Sequence, residues 1–229
     1  MTLEIAENLL RVQERVRGAC DRSQRRYEDV TIVGITKTFG PDRVDALVQA
    51  GIENVGENRV QEFLDKKPRV TMPCRWHLVG TLQRNKATKV IGQFELIHSV
   101  DRIKLAETLS RLGSERARST HILLEVNTSG ESTKHGFGPD EVADVVGRVD
   151  EMPRLELDGL MTIGPFTDDL VRVRRAFQRL KRLKEDAERA LGRNLRHLSM
   201  GMTDDFEIAI EEGATLIRLG RVLLGERGR

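Results

Sequence analysis

Eight short apolar runs, each followed by an amphipathic segment, constrain this chain more than any other feature. The strand candidates are 31–36, 52–55, 75–79, 95–98, 121–126, 157–161, 196–199 and 215–219. The clearest helix candidates behind them are 41–50, 57–67, 102–117, 139–149, 168–191 and 204–212. Pro41 and Pro139 stand where first-turn prolines are tolerated, and Gly51, Gly113 and Gly213 stand where helices stop. No hairpin signal joins neighbouring strands, so the pattern predicts a parallel sheet with crossover helices. Eight such units are the count of a closed barrel, and 229 residues is close to the usual size of one. The expected fold class is therefore α/β, a single (β/α)8 TIM barrel occupying 1–229. An extra helix within 1–27 precedes the first strand, with an apolar stripe of Ile5, Leu9, Val12, Val16 and Ala19.

Bulk properties exclude several classes. A formal charge of +2 gives no strong field toward nucleic acid or an anionic membrane. The segment 172–184 carries seven cations, but Val173, Phe177 and Leu180 make it one helix with a solvated outer face. No apolar run approaches the roughly 20 residues of a membrane helix. Glu4 and Glu7 sit where a secretory signal needs a basic start. Cys20 and Cys74 share no metal-ligand spacing and form no disulfide framework. A cytoplasmic protein with free thiols is expected.

Barrel chemistry lies at the carboxyl ends of the strands. There the first strand runs into Lys37, the second into Glu57 and Asn58, and the fourth into "IHSVD". The seventh ends in "LSMGMTDD", where Ser199, Gly201 and Thr203 form a turn, and the eighth in "IRLGR" with Arg218 and Gly220. Glycine turns in this pair of loops suit a phosphate, because backbone N–H groups can approach its oxygens and a hydroxyl adds a donor. A lysine in an apolar barrel mouth has its charged form disfavoured and falls below its free pKa of about 10.4. Its neutral amine can then form a Schiff base with an aldehyde. One ligand satisfies both ends: pyridoxal 5'-phosphate, whose pyridine nitrogen takes an Asp or Arg partner, here Arg218.

With these residues in view, the chain resembles the pyridoxal phosphate homeostasis protein family, related in fold to the amino-terminal barrel of alanine racemase. The matching blocks are "ITKT" around Lys37, "GENRVQE" (56–62), "WHLVGTLQRNK" (76–86), "VNTSGESTKHG" (126–136), "GLMTIGP" (159–165), "LSMGMTDDFEIAI" (198–210) and "IRLGR" (217–221). They cover nearly the whole chain in order. The resemblance implies that Lys37 is the Schiff-base lysine and that Arg218 faces the pyridine nitrogen. It implies that Ser199 and backbone around Gly201, Met202, Gly220 and Arg221 hold the phosphate. Asn58, His77 and Met161 would line the cofactor's other sides. Val55 stands where an aromatic is often seen, and Phe39-Gly40 replaces a more polar continuation.

A monomer that buffers the cofactor and delivers it to apo-enzymes is expected, since no dimer-forming second domain of the racemase kind is expected, and the resemblance also implies a carrier or regulator without established turnover. The sequence gives a separate reason to expect this. Racemisation needs an acid/base group on each face of the cofactor, and Lys37 serves only one. The only tyrosine, Tyr27, lies near the end of the first helix, and no all-β second domain is expected. An arginine at the pyridine nitrogen also weakens the electron sink. Two alternatives remain at this level. One is a minimal amino-acid racemase or lyase using His77 or His98 on the second face. The other is a barrel enzyme on a phosphorylated sugar or indole, with Lys37 as a simple acid or base.

Overall fold

All eight apolar runs become strands in the computed structural model, which describes residues 2–131 and 133–225. They are β1 (Thr31–Ile35), β2 (Asn54–Glu57), β3 (Arg75–Leu78), β4 (Leu96–Val100), β5 (Thr120–Glu125), β6 (Leu155–Met161), β7 (His197–Ser199) and β8 (Leu216–Leu219). Each pairs in parallel with the next in chain order, and β1 closes on β8. The register sets Val33 opposite Arg218, Gly56 opposite His77 and Met161 opposite Ser199.

The helices are α1 (Thr2–Arg22), α2 (Pro41–Gln49), α3 (Val60–Lys66), α4 (Ile103–Glu115), α5 (Val142–Asp150), α6 (Leu170–Leu191), α7 (Phe206–Glu211) and α8 (Arg221–Leu224). One crossover departs from the expected pattern. Between β3 and β4 the chain forms a 3-10 helix, Arg84–Lys89, in place of an α-helix. Only Leu82, Ala87, Val90 and Ile91 of that connection are buried, too few for a sustained helical stripe.

Two boundaries shift for local reasons. Strand β2 begins at Asn54, two residues later than expected, because Gly51 takes φ +107° and the Ile52 N–H bonds back to Leu47 O. Helix α3 begins only at Val60, since Glu57 still belongs to β2 and Arg59 is extended. Helix α1 stops at Arg22, and Tyr27–Asp29 is a separate 3-10 turn.

Strand alternation divides the residues into two sets. Val33, Ile35, Leu96, Leu123, Met161 and Leu216 form a small apolar cluster inside the barrel. Ile97, Ile122, Leu124, Leu160, Leu198, Ile217 and Leu219 face outward into the larger core shared with the helices. Helix α1 buries its whole predicted stripe in that core, and Arg15–Glu207 and Arg22–Glu211 pin its polar side to α7.

Candidate functional site at the carboxyl mouth

Lys37 leaves the barrel two residues after β1 ends, and its neighbours are held from both sides. The Thr36 N–H donates to Gly56 O at 3.0 Å. The Thr36 hydroxyl donates to Glu57 at 2.6 Å, and Lys66 Nζ donates to Thr36 O at 2.8 Å. Lys66 also pairs with Glu57, and both are buried. On the far side Thr38, at φ +70°, donates its N–H to Glu62 at 3.0 Å. The half-buried Lys37 thus projects from a backbone fixed by a buried ion pair.

Lys37 lines a cleft of about 270 Å³ whose walls include Asn58, Arg218, Gly220, Arg221 and the Met202–Thr203 turn. Ile35, Val79, Ile163 and Phe166 give it apolar sides, and Phe166 is 98 % exposed at the rim. The cleft is therefore open to solvent on one flank.

Beneath it runs a buried polar chain. Arg218 donates from Nη1 to Ser199 Oγ at 2.6 Å and from Nη2 to Thr162 O at 2.9 Å. Ser199 Oγ meets His98 Nδ1 at 2.8 Å, His98 Nε2 meets His77 Nδ1 at 2.9 Å, and His77 Nε2 meets Asn54 Oδ1 at 3.1 Å. Burial holds the His77 imidazole down to about 4, and His98 lies well below its ordinary value for the same cause, so both are neutral at pH 7. Burial also lowers Arg218 to about 10, which leaves it charged. Two of its five N–H donors are spent inside the barrel, which leaves three uncommitted among the described residues.

The β7 and β8 turns supply the other wall. Gly201 takes φ +93°, and a Cβ there would lie 2.5 Å from that of Ala209, so only glycine lets the turn close on α7. Asp205 accepts the Met202 N–H at 2.6 Å, and Arg221 pairs with Asp204 at 3.0 Å, joining the two turns. At the start of α8 the N–H groups of Arg221 and Val222 have no partner within the helix.

Of the ten residues expected at the cofactor, Lys37, Asn58, Met202, Arg218, Gly220 and Arg221 border this cleft, and Gly201 shapes its turn. His77, Met161 and Ser199 lie in the barrel interior below. The single O–H of Ser199 is committed to His98. Tyr27 lies by the opposite mouth, beside Thr31 and Asn54. Sequence reasoning gave His98 no role in the carrier reading and passed over Glu125. Period-two counting from Leu123 would have turned the Glu125 side chain inward at the end of β5. There it faces a second lobe of the mouth.

Comparison with known proteins places this geometry among relatives. The alanine racemase N-terminal domain family matches residues 6–228. The pyridoxal phosphate homeostasis protein of Aquifex aeolicus is 39% identical over 226 residues, covering 98% of this chain and 99% of its own. The structure of PipY from Synechococcus elongatus with PLP bound superposes with a TM-score of 0.84 at 31% identity, over 96% of this chain and 100% of that one. Alanine racemase of Clostridium difficile shares the fold, with a TM-score of 0.78 at 14% identity, over 99% of this chain and 57% of its own.

Proposed function

The chain belongs to the pyridoxal phosphate homeostasis proteins, within the alanine racemase N-terminal domain family, and we propose that it holds pyridoxal 5'-phosphate reversibly in the cleft beside Lys37. The carrying observation is the convergence of Lys37, Arg218 and the two glycine-bearing turns on one cleft. The donor set fits the group. Lys37 Nζ is the covalent anchor for an aldehyde, and Arg218 keeps three N–H donors for a ring nitrogen. Backbone N–H groups at Met202–Thr203 and Gly220–Arg221 receive the phosphate, with Arg221 adding charge. Ser199 acts one layer down by fixing Arg218. When bound, the group supplies an electrophilic aldehyde and an electron-withdrawing ring.

The protein acts as a buffer and donor of this cofactor to apo-enzymes, a cytoplasmic monomer without turnover of its own. Three features support that reading. The solvent-open flank at Phe166 suits exchange, His77 and His98 are locked below the cleft, and Tyr27 is at the other mouth. The test is spectroscopic. Protein incubated with PLP gains the imine absorbance, and borohydride fixes the label on the Lys37 peptide. A Lys37→Ala protein that keeps the band overturns the assignment.

A further inference from the structure

Phe166 is 98 % exposed, and no other phenylalanine among the described residues is exposed. A phenyl ring left in water forgoes a large burial gain, so its place on the rim needs a reason. The loop between β6 and α6 does not let it retreat. Before it, Gly164 and Pro165 are buried, and Gly164 O accepts Lys134 Nζ at 2.6 Å. A Cβ at Gly164 would lie 2.9 Å from Asp205 and 3.2 Å from Phe177, so this foot of the loop is packed down on its neighbours. After it, Asp169 accepts the N–H groups of Val171 and Arg172 at 3.0 and 3.1 Å, and its own N–H donates to Thr167 Oγ1 at 3.2 Å. With both feet pinned, rotation about its own side-chain bonds is the motion most open to the ring.

The ring already borders the Lys37 cleft, whereas Leu170 and Val171, also exposed, do not. In a closed ring of eight strands β6 stands opposite β2, so Phe166 lies across the mouth from Asn58. Lys37 after β1, Arg218 on β8 and the Met202–Thr203 turn after β7 fill the arc between them. These polar groups suit the edge of a flat ligand: an amine for an aldehyde carbon, a guanidinium for a ring nitrogen, backbone donors for a phosphate. Edge contacts leave the faces of such a ligand bare.

We propose that Phe166 covers one face, turning inward to stack on the aromatic ring of bound pyridoxal phosphate and setting how long that ligand stays. Offset stacking is a preferred arrangement of two such rings. The inference rests on the cofactor reading of the cleft and adds the gate to it. Holding a reactive aldehyde calls for slow release, and handing it on calls for a door that opens. A ring that swings between cleft and solvent meets both demands.

The test follows a non-covalent probe, pyridoxine 5'-phosphate, which has the ring and the phosphate but no aldehyde. Its association and release are followed on the full chain by stopped-flow fluorescence. Phe166→Ala should release it about tenfold faster, and Phe166→Tyr should keep the parental rate. Association should change by less than about twofold, because the ring is outside before the ligand arrives, and the thermal midpoint of unloaded protein should not move. Release from Phe166→Ala within about twofold of the parent, or equally fast release from Phe166→Tyr, overturns the inference and leaves the cofactor reading standing. A dimer in sedimentation that Phe166→Ala dissolves, with release unchanged, gives the ring to a second copy and overturns it too. A parent chain that neither binds pyridoxine 5'-phosphate nor is labelled at Lys37 by PLP and borohydride overturns both.

Discussion

The Arg218 guanidinium donates to the Ser199 hydroxyl at 2.6 Å, at one end of a buried chain whose other end, Asn54 Oδ1, sets the direction of every proton between them. Asn54 Oδ1 only accepts, so neutral His77 carries its proton on Nε2 and its Nδ1 accepts, which leaves His98 Nδ1 to accept the Ser199 hydrogen. His98 then carries its proton on Nε2 and donates to His77 Nδ1, and His77 donates from Nε2 to Asn54. Both imidazoles are thereby the Nε2–H tautomer, which nitrogen chemical shifts at pH 7 will show directly. Ser199→Ala removes the middle link and leaves a buried acceptor and a buried charged donor unpaired. A loss of about 1–3 kcal/mol in urea denaturation is expected. Binding of PLP should weaken as well, since Arg218 loses its anchor.

The same two histidines set the acid stability. Their folded values are depressed below the ordinary 6.5, His77 to about 4 and His98 well below. Between those limits the unfolded chain holds more protons than the folded one. Stability is thus complete above pH 6.5 and falls as pH drops toward 4. His77 alone accounts for about 3 kcal/mol by pH 4. Glu125 works in the opposite sense over part of this range, so the slope is cleanest in a Glu125→Gln background. Denaturation midpoints that stay flat from pH 6.5 to 4.5 in that variant would refute the neutral buried pair.

Much of this was legible in the sequence, and the reasons differ by residue. Short continuous apolar runs mark the eight strands because each is buried on both faces, by the barrel interior and by the outer layer. Lys37 and the Gly201 and Gly220 turns stand out because their neighbours are apolar or conformationally special. Boundaries at β2 and α3 were not legible, since Ile52 is apolar yet spent on capping a helix and Glu57 is polar yet buried in a strand. The His77–His98 pair was hidden for another reason. The two lie 21 residues apart, and only strand neighbourhood brings them to 2.9 Å. Ser199 was legible as a strand-end position but not as an interior one. Its role depends on an inward-facing register shared with Arg218, which local sequence does not reveal.

Lys66 supports Lys37 from behind, and removing it exposes the cost. Lys66→Met leaves Glu57 fully buried, with only the Thr36 hydroxyl as partner and Oε2 already unsatisfied. Breaking one partner of such a pair costs about 3–5 kcal/mol. The double variant with Glu57→Gln should regain part of it, because no charge is then stranded. The single variant also frees the Thr36 carbonyl, so attachment of PLP to Lys37 should slow even where the protein stays folded. Equal attachment rates in Lys66→Met and the parent would separate the ion pair from the site.

Glu125 carries a stability cost that its neutral analogue should relieve in a pH-dependent way. Burial raises its folded value to about 7 from the ordinary 4.5, so the folded chain binds more protons than the unfolded one between those limits. Its unfavourable contribution is absent below pH 4.5 and grows as pH rises. Above pH 7 it is complete, at about 3 kcal/mol before any ligand is bound. Glu125→Gln should therefore stabilise the protein at pH 8 by up to that amount and change little at pH 4.5. Thermal midpoints of the two proteins at both pH values decide it, and a gap that is equal at pH 4.5 and 8 would show that the carboxylate is not the strained group.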